Sequence, residues 1–157
     1  MTATWPKQKD VDAFYGNPRG LNGACSPRWQ ERNLVTIAPP FRMTYAGRPV
    51  ARITIHRLCA ASLSRVLAAI WEASGRNQAK VDSWGASVFG GTFNYRLKRN
   101  SNTLSMHAYG AAIDLDPQRK PMGQSARRFA AEVVKAFNDE GWVNLTNDPM
   151  HFQAARL

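Results

Sequence analysis

Ser105-Met106-His107-Ala108-Tyr109-Gly110-Ala111-Ala112-Ile113-Asp114 holds one of only three histidines in the chain and ends in a carboxylate. Ala111 to Asp116 reads as a short buried strand, ended by Pro117, which cannot donate to a ladder. His107 and Asp114 stand seven residues apart, with Gly110 between them. On one continuous strand an odd separation would put them on opposite faces. A strand, a tight turn at Gly110 and a returning strand would bring the two side chains together.

Towards the C-terminus lies a second dense group, Asp148-Pro149-Met150-His151-Phe152. It precedes an expected strand pair near Trp142–Asn144 and Met150–Ala154. A turn at Pro149 can aim Asp148 and His151 into one cleft. Two neutral imidazoles and one carboxylate form a catalytic zinc set that leaves a fourth position for water. The remaining carboxylate can then act as a base. The plainer alternative also stands on spacing alone. A histidine beside an apolar strand is often a satisfied structural residue, and an Asp next to Pro, such as Asp116 or Asp148, often only forms a turn. Asp116 competes with Asp114, because a strand points both the same way.

Further out, the pattern is mixed. Leu63, Val66, Leu67, Ile70 and Trp71 recur at helical spacing between about Leu58 and Gly75. A second helix is expected from Ser125, as N-cap, to Glu140, with Phe129, Val133, Ala136 and Phe137 on its apolar face and Gly141 closing it. Phe41–Tyr45 and Val50–His56 alternate around Ala46-Gly47-Arg48-Pro49 and predict a hairpin. Val81–Arg96 reads as short strands or turns. Residues 1–40, rich in Pro, Gly and Asn, read as a loop-dominated wrap anchored by Trp5, Phe14 and Tyr15. Helices interrupting a small, mainly antiparallel sheet define an α+β fold, with the site in a cleft on the sheet.

The 157 residues fit one domain, 1–157, and 44% apolar content is enough for a core. Lys and Arg number 21 against 11 Asp and Glu, a net charge of +10. That excess attracts polyanions such as nucleic acid, anionic membrane or a phosphate-rich bacterial envelope, and its sign does not choose among them. The basic residues are scattered, with short clusters at Arg96-Lys98-Arg99 and Arg119-Lys120, so no basic arm exists and a solvated surface is the plain alternative. Cys25 and Cys59 lack metal spacing and are expected to be reduced. The start shows no secretory signal, so synthesis in the cytoplasm is expected. The longest apolar run, Ala60–Ala73, is broken by Ser62, Ser64 and Arg65 and does not fit a membrane span. His56 is read as structural, and Trp84, Phe89, Phe93, Tyr95 and Tyr109 as core or groove residues.

Ser105 to Asp114 matches the pattern SxHxxGxAxD, and Asp148-xx-His151-Phe152 follows about forty residues later. Together they resemble the two motifs of the D-Ala-D-Ala carboxypeptidase and L-alanyl-D-glutamate endopeptidase group of zinc peptidases. Trp5-Pro6, Phe14-Tyr15-Gly16, Phe93-Asn94-Tyr95-Arg96 and Gly141-Trp142 agree with that group, so the resemblance covers most of the chain. In size it looks like the single-domain endolysins of phages and prophages.

The resemblance implies Zn2+ held by His107, Asp114 and His151, with Asp148 as general base. Arg96 matches an Arg that binds the substrate carbonyl and oxyanion; Leu97 follows it where relatives often carry Pro, and Arg99 is the competing choice. Ser105 is expected to support the site by hydrogen bonding, and Tyr109 to be the best groove residue. Asp rather than Glu in the second motif points to the endopeptidase branch. The implied substrate is a peptidoglycan stem peptide, cut at the L-alanyl–D-glutamate bond. The alternatives are a D,D-carboxypeptidase removing terminal D-Ala, and a basic protein that binds nucleic acid or cell wall without catalysis. The endolysin reading adds a monomer held to the anionic envelope by its charge, reaching the wall with the help of a holin-type permeabiliser and needing no nucleic acid.

Overall fold

Ala112–Leu115 (β6) and His151–Gln153 (β8) are the inner strands of a four-stranded antiparallel sheet, in the order β5-β6-β8-β7. Phe89–Gly91 (β5) and Val143–Asn144 (β7) form its edges. The structure, a computed structural model, describes residues 4–120, 122–123 and 129–157. The α+β class follows from this sheet and the helices around it.

Alternation along β8 explains the layering. His151 and Gln153 point to one face of the sheet. Phe152 points to the other, stacked on Phe137 at 3.9 Å between ring centroids. Phe137 belongs to Ala131–Asp139 (α5), which packs with Ala60–Ala73 (α3). The α3 stripe of Leu63, Val66, Leu67 and Ile70 is fully buried, as its spacing predicts. The expected N-cap Ser125 lies outside the described residues, but α5 begins only at Ala131, after Ala130 in an extended conformation, so Phe129 precedes the helix instead of lying on its face. No helix among the described residues is long and apolar enough to cross a membrane.

Three further elements differ from the sequence reading. The predicted hairpin is confined to Thr44–Tyr45 (β2) and Arg48–Pro49 (β3), closed by Ala46 and Gly47 at positive φ. That pair of left-handed residues makes a tight two-residue turn, and Pro49 offers no N–H to lengthen the ladder. Ile53–His56 (β4) pairs instead with Leu34–Ile37 (β1), from Leu34↔His56 to Ile37↔Ile53. Ile53 and Ile55 thereby enter the core from a strand shielded by a partner.

The second difference is the helix Gln78–Ser83 (α4), in a stretch read as strands or turns. Asn77 caps it by accepting from the Lys80 N–H at 3.0 Å. The third lies in residues 1–40, where Val11–Tyr15 (α1), Pro27–Asn33 (α2) and β1 stand in the segment read as loop-rich. Ser26 accepts from the Trp29 N–H at 3.2 Å and Pro27 opens α2, a start signal hidden among the prolines. Trp5 and Tyr15 are buried anchors as expected, whereas Phe14 is 40% exposed. The Tyr15 hydroxyl donates to the Ala154 carbonyl at 2.6 Å, tying the N-terminal segment to the end of β8.

Candidate metal centre

Asp114 and His151 face each other directly across β6 and β8. His107 reaches them from a 3-10 turn, Met106–Tyr109, rather than from a strand. Ser105 caps that turn, its hydroxyl accepting from the His107 N–H at 3.2 Å. Gly110 ends the turn in the left-handed conformation; a Cβ there would stand 2.9 Å from Leu34 Cδ2 and 3.1 Å from the His56 nitrogen. The chain thus reverses within three residues and enters β6 with His107 and Asp114 on the same side.

Three atoms converge: His107 Nε2, His151 Nδ1 and Asp114 Oδ1. Each pair is 3.2 Å apart. In a tetrahedral zinc site with bonds of about 2.0–2.1 Å, neighbouring ligand atoms lie about 3.3 Å apart, so the triangle has the size of one face of such a site. The outer hydrogen bonds set the tautomers. His107 Nδ1 lies 2.8 Å from the Thr92 carbonyl and must donate to it, leaving a lone pair on Nε2. His151 Nε2 lies 2.9 Å from Gln153 Oε1, and the Gln153 amide nitrogen donates to the Ala155 carbonyl at 3.2 Å, which leaves a lone pair on His151 Nδ1. Two imidazole lone pairs and a carboxylate oxygen therefore point at one another, an arrangement that a divalent cation satisfies. Both histidines are buried and Asp114 is half-buried, so the set has little help from solvent. Burial pushes the Asp114 carboxyl up, and the facing imidazoles more than offset this, holding it well below the usual carboxylate range.

Asp148 lies within electrostatic reach of the triangle residues and of Arg96. Its carbonyl accepts from the His151 N–H at 3.0 Å, which fixes the turn. Asn144 clamps the same loop, donating to the carbonyls of Pro149 and His151, each at 2.9 Å. Asp148 Oδ1 is buried with no hydrogen-bond partner among the described residues. Burial pushes this carboxyl above its ordinary range, with the neighbouring charges acting in both directions.

A cleft of about 680 Å³ opens beside His107 and Asp114. Arg96 lines it, and so do Phe89 and Phe93; Arg99, Trp84, Tyr95 and Tyr109 do not. Tyr109 instead points the other way. Its buried hydroxyl donates to Asp12, and it lines a separate cavity with Arg19 and Lys98. On a 3-10 turn a residue two positions on is rotated roughly 240° from His107, which explains the departure. Asp116 turns away from the triangle at φ 53° and pairs with Arg119 at 2.8 Å. His56 donates from Nε2 to the Tyr15 carbonyl at 2.9 Å and accepts at Nδ1 from the Leu58 N–H at 3.0 Å, the satisfied structural histidine expected. Cys25 and Cys59 are free thiols and neither belongs to the triangle.

Sequence reasoning missed Gln153 and the Thr92 carbonyl. Gln153 sits two residues after His151 on one strand face, a spacing that could have revealed it. Thr92 is itself held by its hydroxyl, which donates to the Thr54 carbonyl.

The sequence model of a family described as D-alanyl-D-alanine carboxypeptidase matches residues 99–154. That stretch contains all three triangle residues and Asp148. The match supports a metallopeptidase of the group whose motifs the chain carries. No curated protein and no solved structure matches the chain.

Proposed function

We propose that the protein is a zinc-dependent hydrolase of peptidoglycan stem peptides that cuts the L-alanyl–D-glutamate bond. The observation that carries this reading is the 3.2 Å triangle of lone pairs from His107, Asp114 and His151, with Asp148 on the turn before His151 keeping a buried oxygen unpartnered among the described residues. Zinc, when bound there, supplies Lewis acidity for the scissile carbonyl and a water acidic enough to ionise near neutral pH.

The chain's own residues supply the rest. Asp148 takes the proton of the attacking water on Oδ1 and hands it to the leaving amine. Its raised proton affinity suits both halves of that transfer. Arg96 offers charged donors to the oxygen that gains charge in the transition state. It lines the cleft with His107 and Asp114, whereas Arg99 does not, which favours Arg96 for this role. Phe89 and Phe93 give the substrate an apolar wall. The +10 charge would concentrate the protein on an anionic envelope, with a holin-type permeabiliser giving access. This is the economy of a monomeric phage-type endolysin.

A second reading, removal of terminal D-Ala by a D,D-carboxypeptidase, is favoured by the description of the matching family. Mass spectrometry of digested Gram-negative peptidoglycan, with and without a chelator, separates the two. Chelator-sensitive release of peptides beginning at D-Glu supports the endopeptidase. Loss of D-Ala alone supports the carboxypeptidase. Intact peptidoglycan from zinc-loaded protein rejects both.

A further inference from the structure

We infer that Arg48 and Arg52 form a carboxylate-reading subsite, so that the cleft selects peptides bearing a free carboxylate over the same peptides amidated. This inference rests on the peptidase reading of the site. Arg48 lies on β3, and Arg52 just precedes β4; both line the metal cleft together with Arg96. Among the described residues, the only carboxylate on that wall is Asp114, already committed to His107 and His151. Neither Arg48 nor Arg52 forms an ion pair or side-chain hydrogen bond among the described residues, and both are exposed.

This separates them from the other arginines of known partnership. Arg19, Arg65, Arg76 and Arg119 each hold a carboxylate of the chain itself. Two unpaired guanidiniums on one wall of a peptide-sized cleft leave a net positive field with no internal acceptor. A guanidinium presents a planar fork that matches a carboxylate through two parallel hydrogen bonds, and an amide cannot replace that acceptor.

The hairpin is also held in place. Thr44 pairs with Val88, just before β5, and Tyr45 packs its ring edge on Phe89 at 6.3 Å. From Thr54, two residues after Arg52, the carbonyl accepts from Thr92, whose own carbonyl orients His107. The backbone that carries the arginines is therefore tied to the same framework that positions the metal ligands.

The test uses stem peptides in pairs, identical except that one has its side carboxylates amidated. Binding of each to the full chain carrying Asp148→Asn is measured by calorimetry, alone and combined with Arg48→Gln or Arg52→Gln. Both arginines are exposed, so their variants are expected to fold; circular dichroism verifies this. The acid form should bind tighter by roughly tenfold or more, as one charge-assisted pair implies, and the preference should shrink in each arginine variant. Equal binding of the two forms, or a preference that survives both variants, overturns the inference. Cleavage of the same peptides by the chain with Asp148 intact is scored separately. A preference without cleavage overturns the peptidase reading and leaves the subsite standing, and binding of neither form overturns both.

Discussion

Asp114 Oδ1 and His151 Nδ1 meet at 3.2 Å across two adjacent antiparallel strands, in a register pair that no turn or loop intervenes to adjust. Because the two ligands sit on the most buried strands of the sheet, the half-site they form is as rigid as the core beneath it. His107 completes it from a capped turn, so metal binding orders little that is not already ordered.

Zinc should therefore stabilise the fold by mass action rather than by inducing it. At a free zinc concentration of ~100 times Kd the gain is about 2.7 kcal/mol. A chelator should lower Tm without abolishing the cooperative transition, as read by scanning calorimetry. Asp114→Asn should leave protein that folds yet retains little zinc after dialysis, measured by elemental mass spectrometry. Stoichiometric zinc in that variant would show that the triangle is not the site.

The outer hydrogen bonds give a second expectation. Gln153 is almost fully buried, and its Oε1 accepts a hydrogen bond from His151 Nε2. Gln153→Leu removes that acceptor and frees the ring to turn or change tautomer. Such outer partners are worth ~10–100-fold in metal affinity, and that loss should appear in competition with a chelator of known affinity. An unchanged affinity would mean that strand packing alone orients His151.

Asp148 carries opposite consequences for activity and stability. Its carboxyl is raised by burial, so folding favours its protonated form. The stability that follows is present at low pH and is lost as pH rises through the folded-state value. In chelated protein, Asp148→Asn should thus raise Tm at neutral pH and make little difference in acid. The same substitution removes the base, which needs its ionised form, and should cut kcat by ~10²–10⁴-fold. It should also remove the acid limb of the pH–rate profile, where activity falls as Asp148 gains its proton. A variant that is both less stable and less active at neutral pH would mark Asp148 as structural.

That His107, Asp114 and His151 come together was legible through the two motifs that carry the family resemblance, whereas their spacing alone fitted structural residues as well. The strands that carry Asp114 and His151 were also legible, being short, apolar and bounded by Pro. What stayed hidden was long-range or carried by the backbone. The pairing of Leu34–Ile37 with Ile53–His56 joins segments separated by the small hairpin, and the alternating pattern fitted a local partner equally well. The Thr92 carbonyl has no residue signature at all, since any residue could supply it. Tyr109 was misplaced because its neighbour in sequence, His107, sits on a 3-10 turn rather than a strand, and that geometry reverses which side a residue two positions on will face.

Glu140, at the end of α5, accepts from Arg65 through both carboxylate oxygens, at 3.0 and 2.9 Å, and from the Ser62 hydroxyl at 2.8 Å. Ser62 in turn accepts from the indole N–H of the buried Trp142 at 2.9 Å, so one carboxylate links α3 to the start of the strand pair bearing His151. The hydrogen bonds from Arg65 lower the Glu140 carboxyl below its ordinary range, against the opposing effect of burial. A carboxylate lowered in the folded state adds stability above its unfolded value, and loses it as pH falls through the lower folded value. Glu140→Gln should therefore melt several degrees below the unsubstituted protein at neutral pH, and the two curves should converge in acid. Zinc affinity should change little, because no triangle residue touches Glu140. A gap in Tm that stays constant from neutral pH into acid would show that the clamp works through shape and neutral hydrogen bonds, and that the ion pair with Arg65 adds nothing.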